Sequence, residues 1–156
     1  MILIGVDPPK GMARMDGKTG RIISIETMDF WGIVEALRGV AAQVKSGIET
    51  AIVYIEAPQT NKPTFFHGQI RPSVREKISQ NVGANKRDSV LLIELCQQLG
   101  LTVVPVPPRR KNSTKHSPEE FVKKTGWKQR CSEHGRDALM LMWGRSWQYD
   151  LAVNKK

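Results

Sequence analysis

"ILIGVDPP", residues 2–9, is the stretch on which the reading of this chain turns. Ile2, Leu3, Ile4, Gly5 and Val6 run without polar alternation, the pattern of a strand buried on both faces at the centre of a sheet flanked by helices. Nothing in such a strand calls for a carboxylate. Asp7 nonetheless stands at its carboxyl end, and the prolines behind it cannot donate to a ladder, so pairing stops there. The same arrangement returns in "AIVYIEAP", residues 51–58, where a second doubly apolar run ends on Glu56 with proline after one residue. If the two strands are adjacent and parallel, their acids meet at one edge of the sheet, where the crevices of α/β sheets form.

The remaining segments supply the rest of a sheet and its cover. GMARMD (11–16) and RIISIET (21–27) flank a GKTG turn and predict an antiparallel hairpin beside the first strand. Residues 29–46 carry a helical apolar period with Asp29 as N-cap. From Asn61 to about Asn81 no period is clear, although SVREKIS fits a short helix. NKRDSVLLIELCQQL, 85–99, is the clearest amphipathic helix, stopped by Gly100, with Lys86 and Arg87 at its opening. LTVVPV (101–106) reads as a strand and PPRRKNSTK after it as a basic loop. SPEEFVKKTG predicts a short helix with Ser117 as N-cap, Pro118 in the first turn and Glu120 three residues past the cap. Residues 133–149 read as one long helix. This order predicts an α/β fold in a single domain, 1–156. Its mixed five-stranded sheet combines an antiparallel three-strand meander with two parallel strands, and helices cover both faces.

Composition narrows the function. At 40% apolar and 25% charged residues, the 156-residue chain has an ordinary globular balance. No apolar stretch reaches the length of a bilayer span, and the first residues lack a basic leader and a cleavage site. A cytoplasmic location and no membrane partner are therefore expected. Cys96 and Cys131 form no CxxC pair and predict no disulfide framework, and Cys131 with His134 offers only half of a zinc site. Twenty-four Lys and Arg against 15 Asp and Glu give +9, which favours a polyanionic partner, nucleic acid above all. The cations cluster at Lys86 and Arg87, at Arg109, Arg110 and Lys111, and at Lys123, Lys124, Lys128 and Arg130. There is no GxxxxGK[ST] loop, and Ser/His/Asp and Cys/His nucleophile arrangements have no motif support.

A third acid comes from "EHGRDALMLMWG", residues 133–144, where His134, Asp137, Ala138 and Leu141 share one helical face. Each acid has a local explanation by itself: Asp-Pro opens turns, and acids favour the first turn of a helix. Together they suggest more. Carboxylates forced into a partly dry site repel one another and take up protons unless a cation holds them ionised. Such hard oxygen donors suit Mg²⁺ or Mn²⁺. Two ions about 4 Å apart can activate a water and stabilise the leaving oxygen of a phosphodiester.

On "IGVDPP", "VYIEAP", "VGANKRDSVLLIELCQQLGLTVVPVPP" and "EHGRDALMLMWG", the chain resembles the RuvC-type Holliday-junction resolvases of the ribonuclease H-like superfamily, especially the divergent versions carried by phages. The resemblance spans nearly the whole chain through short motifs in a shared order. It implies a ribonuclease H-like fold, an acid on the first strand, a Glu on the fourth, and an acid pair or a His and Asp three apart on the final helix. Asp7, Glu56, His134 and Asp137 match those positions as catalytic and metal-binding residues for two Mg²⁺ ions, with Mn²⁺ as a substitute. It further implies a homodimer that cuts branched DNA. Pro9 stands where the family usually has a small residue, bulky Met and Trp replace alanines in the last helix, and loop 59–71 has no counterpart. Lys86, Arg87, Arg109, Arg110, Lys111 and Lys115 are candidate DNA contacts, and Phe65 and Phe66 could stack on unpaired bases. Two other functions fit the same residues: an RNA–DNA hybrid nuclease, and a structure-specific DNA-binding protein without catalysis.

Overall fold

The two doubly apolar runs are neighbours. In the computed structural model, which describes residues 1–8, 10–60, 71–108 and 116–154, β1 (Ile2–Asp7) pairs with β4 (Ala51–Glu56) in parallel, Ile2 opposite Ala51 through Val6 opposite Ile55. β2 (Gly11–Asp16) and β3 (Ile22–Thr27) add an antiparallel meander on one side, and β5 (Thr102–Val106) pairs with β4 in parallel on the other. The order is β3-β2-β1-β4-β5, a mixed five-stranded sheet as the sequence predicts. β5 is an edge strand, which is why it accommodates the exposed Pro105.

The period of two sorts each strand onto two cores. Ile4, Val6, Val53 and Ile55 meet Ile33, Leu37 and Val40 of α1 (Phe30–Lys45) and Leu92 and Cys96 of α2 (Pro72–Gln98). Burial in that layer pushes the Cys96 thiol up to about 12, so it is a packing residue. Leu3, Ala13, Ile52 and Tyr54 face the other way. They meet Phe121 of α3 (Pro118–Thr125), Ala138 and Leu139 of α4 (Glu133–Met140), and Trp147 of α5 (Trp147–Asn154). Trp127 and Trp143 pack here too.

Local chemistry sets most element ends where the sequence places them. Asp29 accepts from Gly32 N at 2.7 Å to cap α1. Ser117 and Glu120 exchange side-chain and backbone bonds at the start of α3, and Gly126 closes that helix in the left-handed conformation. Asp16 organises the hairpin turn through Lys18 N, Thr19 N and the Thr19 hydroxyl, contacts that hold its carboxyl below the ordinary range.

Two expectations change. SVREKIS and the 85–99 helix are one element, because α2 runs unbroken for 27 residues, about 40 Å. Gly83 costs such a helix only about 1 kcal/mol relative to alanine, too little to end it. Lys86 and Arg87 consequently sit in mid-helix, where backbone N–H groups are spent on the helix, so they offer phosphate their side chains alone. The predicted long helix at 133–149 is instead two short ones. α4 ends at Met140, and a turn containing Gly144 at φ 72 separates it from α5. Among the described residues no helix is long and apolar enough to cross a membrane.

Gly39 lies on the exposed face of α1 with open space where a methyl group would stand, so Gly39→Ala should raise stability by about 0.5–1 kcal/mol. At Gly5 an added Cβ would stand 1.9 Å from the Ala138 carbonyl oxygen, and Gly5→Ala should cost about 1–3 kcal/mol or more. Urea denaturation of the two variants checks the opposite signs.

Candidate functional site

The α4 side of the sheet changes character along each central strand. On β1 it runs Leu3, Gly5, Asp7, and on β4 it runs Ile52, Tyr54, Glu56. Because Val6 stands opposite Ile55, Asp7 and Glu56 leave the ladder side by side, on the same face and at the same carboxyl edge. The conditional expectation that the two acids share an edge is met.

α4 lies across that face at unusually short range. The Ala138 carbonyl rests over Gly5, and the His134 carbonyl rests over Gly11, where an added Cβ would come within 2.1 Å of its oxygen. Gly11 is the β2 residue opposite Asp7, and Ala13 opposite Gly5 continues the shelf of small residues. Gly135 fits against Ile25 of β3 in the same manner. The helix start is tied down by Ser132, whose hydroxyl accepts from Gly135 N at 3.1 Å and bonds the Thr27 hydroxyl at 2.5 Å. Ser132 is thus the cap, and His134 and Asp137 are released from that role.

This seating delivers His134 to Asp7. The imidazole Nδ1 lies 2.8 Å from Asp7 Oδ2, across 127 residues of chain. Asp7 is buried at 7% exposure, whereas the His134 side chain is about half exposed at 48%. A carboxylate accepts but does not donate, so the contact fixes the imidazole proton on Nδ1 and leaves the Nε2 lone pair for a proton or a cation. Asp137 is half-buried on the next turn of α4, immediately before the Ala138 that sits on Gly5. Glu56 is half-buried at the end of β4.

Three carboxylates and an imidazole are a donor set suited to a hard divalent cation. Backbone placement fits that chemistry: two strand ends on one face and a helix laid over them. Among the described residues no three His, Cys, Asp or Glu side chains are drawn into one ligand cluster. Carboxylates repel one another at close range. Asp7 and His134 are already joined at 2.8 Å.

Of the other candidates, Lys86 is half-buried and Arg87 exposed on α2. Arg109, Arg110, Lys111, Lys115, Phe65 and Phe66 lie outside the described residues, as do Pro9 and nearly all of loop 59–71.

Sequence reasoning missed the glycine shelf and a second polar layer behind the acids. An isolated glycine inside a strand often marks a close backbone approach, so Gly5 carried a usable signal. The second layer carried none. Tyr54, fully buried two residues before Glu56, donates its hydroxyl to Asp150 Oδ2 at 2.8 Å. Arg145 lies 5.6 Å above the Tyr54 ring and 4.0 Å from Asp150. Trp147 Nε1 donates to Gly17 O at 2.6 Å, which pins α5 to the hairpin turn. Burial and the Asp150 contact raise the Tyr54 pKa well above its ordinary value near 10.

No protein-family model matches the chain, and a search of the curated proteins finds no relative.

Tyr54→Phe should lower stability by about 1 kcal/mol at neutral pH. Because the folded-state pKa lies above the unfolded value near 10, the hydroxyl's contribution is complete below pH 10 and fades as pH climbs past it. Urea midpoints of the parent and Tyr54→Phe should therefore converge above pH 10. A gap of constant size at every pH would contradict the assigned bond.

Proposed function

We propose that this protein is a divalent-metal-dependent endonuclease of the ribonuclease H-like type, resembling the RuvC resolvases, that cuts four-way junctions or other branched DNA as a homodimer. The observation that carries this reading is the 2.8 Å contact between Asp7 and His134 at the carboxyl edge of the central parallel pair, with Glu56 on the neighbouring strand. An acid on the first strand, a Glu on the fourth, and a His and Asp three apart on a helix over the sheet follow the order expected of that family. One departure stands: the helix that carries His134 and Asp137 is followed by α5 and is not the last.

Asp7, Glu56, His134 and Asp137 are the residues that would hold two Mg²⁺ ions, or Mn²⁺ in their place. Bound there, the metal would lower the pKa of a coordinated water and offset charge on the leaving oxygen. The chain's own contribution is positional. Asp7 orients the His134 ring through Nδ1, and the half-exposed Nε2 side accepts a proton from the attacking water or binds the second ion. The glycine shelf holds the imidazole at fixed height, so little reorganisation accompanies the reaction. The +9 charge draws the polyanionic substrate toward a locally acidic edge that would otherwise repel it. A twofold dimer would present two such edges to symmetrically related strands.

The test incubates the parent and Asp7→Asn with a four-way junction, a linear duplex and an RNA–DNA hybrid, each in Mg²⁺ or EDTA. Symmetric junction cuts that need Mg²⁺ and fall about a thousandfold or more in Asp7→Asn are the expected result, a loss of about 4 kcal/mol of barrier lowering. Asparagine can retain a hydrogen bond to His134, so junction binding should persist. Cleavage confined to the hybrid would make the protein a hybrid nuclease. Tight junction binding without metal-dependent cutting would make it a non-catalytic DNA-binding protein.

A further inference from the structure

The cation cluster at Lys128 and Arg130 has a setting of its own, separate from the acid edge. Between α3 and the segment that leads from it into α4 lies a cavity of about 250 Å³. Its lining includes the aromatic Phe121 and Trp127, the amide of Gln129 and the cations Lys128, Arg130 and Arg136; among the described residues no Asp or Glu lines it. Arg136 spends Nη1 on the Cys131 carbonyl at 3.1 Å. Its Nε and the indole Nε1 of Trp127 are shielded from water and have no acceptor among the described residues. Native proteins leave few such groups unmatched. What the cavity offers an occupant is its lining: aromatic surface and three cations with no carboxylate among the described lining residues, a setting for an anion that carries a ring.

The cavity's size and chemistry define that occupant. It is smaller than the roughly 300–1,000 Å³ of drug-sized pockets, enough for one ring system. Aromatic surface suits the face of a base, and Lys and Arg suit a phosphate. Arg136 follows His134 by two residues, about 200° around α4, so the two side chains leave the helix on different sides. A nucleotide held there would lie beside the cleaved bond, not at it.

We propose that this cavity seats one unpaired nucleotide, its base against Trp127 and its phosphate on Lys128 and Arg130. That the nucleotide belongs to a branched substrate strand rests on the nuclease reading above; the chemistry of the cavity does not.

The test titrates the full-length protein in EDTA with thymidine 5′-monophosphate, thymidine and inorganic phosphate, followed by ligand-observed NMR. The monophosphate should bind about tenfold more tightly than either fragment. The double variant Lys128→Ala/Arg130→Ala should weaken it about tenfold, and Trp127→Leu similarly, while the charge-matched Lys45→Ala/Lys77→Ala should leave it unchanged. Lys128 and Arg130 are exposed, so their variant remains informative even where Trp127→Leu fails to fold. Inorganic phosphate binding as tightly as the monophosphate would reduce the cavity to a simple anion site and overturn the proposal. Equal affinity in the parent and the Lys128→Ala/Arg130→Ala protein would overturn it as well. Because binding is read without metal or cleavage, its failure leaves the junction assay standing, and a failed junction assay leaves the cavity standing.

Discussion

The backbone of α4 rests directly on the sheet, and the rest of the structure depends on that approach. At Gly5 and Gly11 there is no space for a methyl group beneath the helix. A helix held off by ordinary side chains would sit some 10 Å from the sheet plane, as packed layers do. Here the glycines lower it, and the lowered helix carries His134 to hydrogen-bond distance of Asp7. Side chain and backbone thus share one cause: the acid at the end of β1 has a partner because the residue opposite it on β2 has no side chain.

Two polar arrangements then occupy one face of an otherwise apolar layer. The outer one, Asp7 with His134, stands at the edge where the parallel strands end. The inner one, Tyr54 with Asp150 and Arg145, fastens α5 behind it. Asp7 and Tyr54 each meet a partner from a distant segment, which converts sequence separation into a fixed geometry. The apolar residues around them, Leu3, Ile52, Leu139 and Met142, exclude water from the sheet interior while leaving the strand ends accessible. The cavity at Trp127 is lined in part by Arg136 of α4, the helix that also carries His134.

Much of this was legible in residues. The runs at 2–7 and 51–56 announce central strands because both faces are apolar, and the hairpin, α1 and α3 carry turn and capping residues that act locally. Asp7 and Glu56 were legible because each ends a doubly apolar strand, and His134 and Asp137 because they share one helical face. What failed to show depends on distant neighbours or on the absence of a breaker. The junction of SVREKIS with the following helix turns on Gly83 being tolerated, and the break after Met140 turns on Gly144 adopting positive φ. Tyr54 reads as one more apolar strand residue until Asp150 arrives from 96 positions away. Gly5 inside a strand signals a close approach, but which element approaches is not written in its neighbours.

The most direct measurement of the central claim is paramagnetic broadening of the histidine ring resonances by Mn²⁺, in the parent and in Asp7→Asn. Substoichiometric Mn²⁺ should broaden His134 and leave His116, beside Glu120 on α3, sharp. The effect should be lost when Asp7 is replaced. Broadening of His134 that is absent in the parent, or undiminished in Asp7→Asn, would contradict that claim.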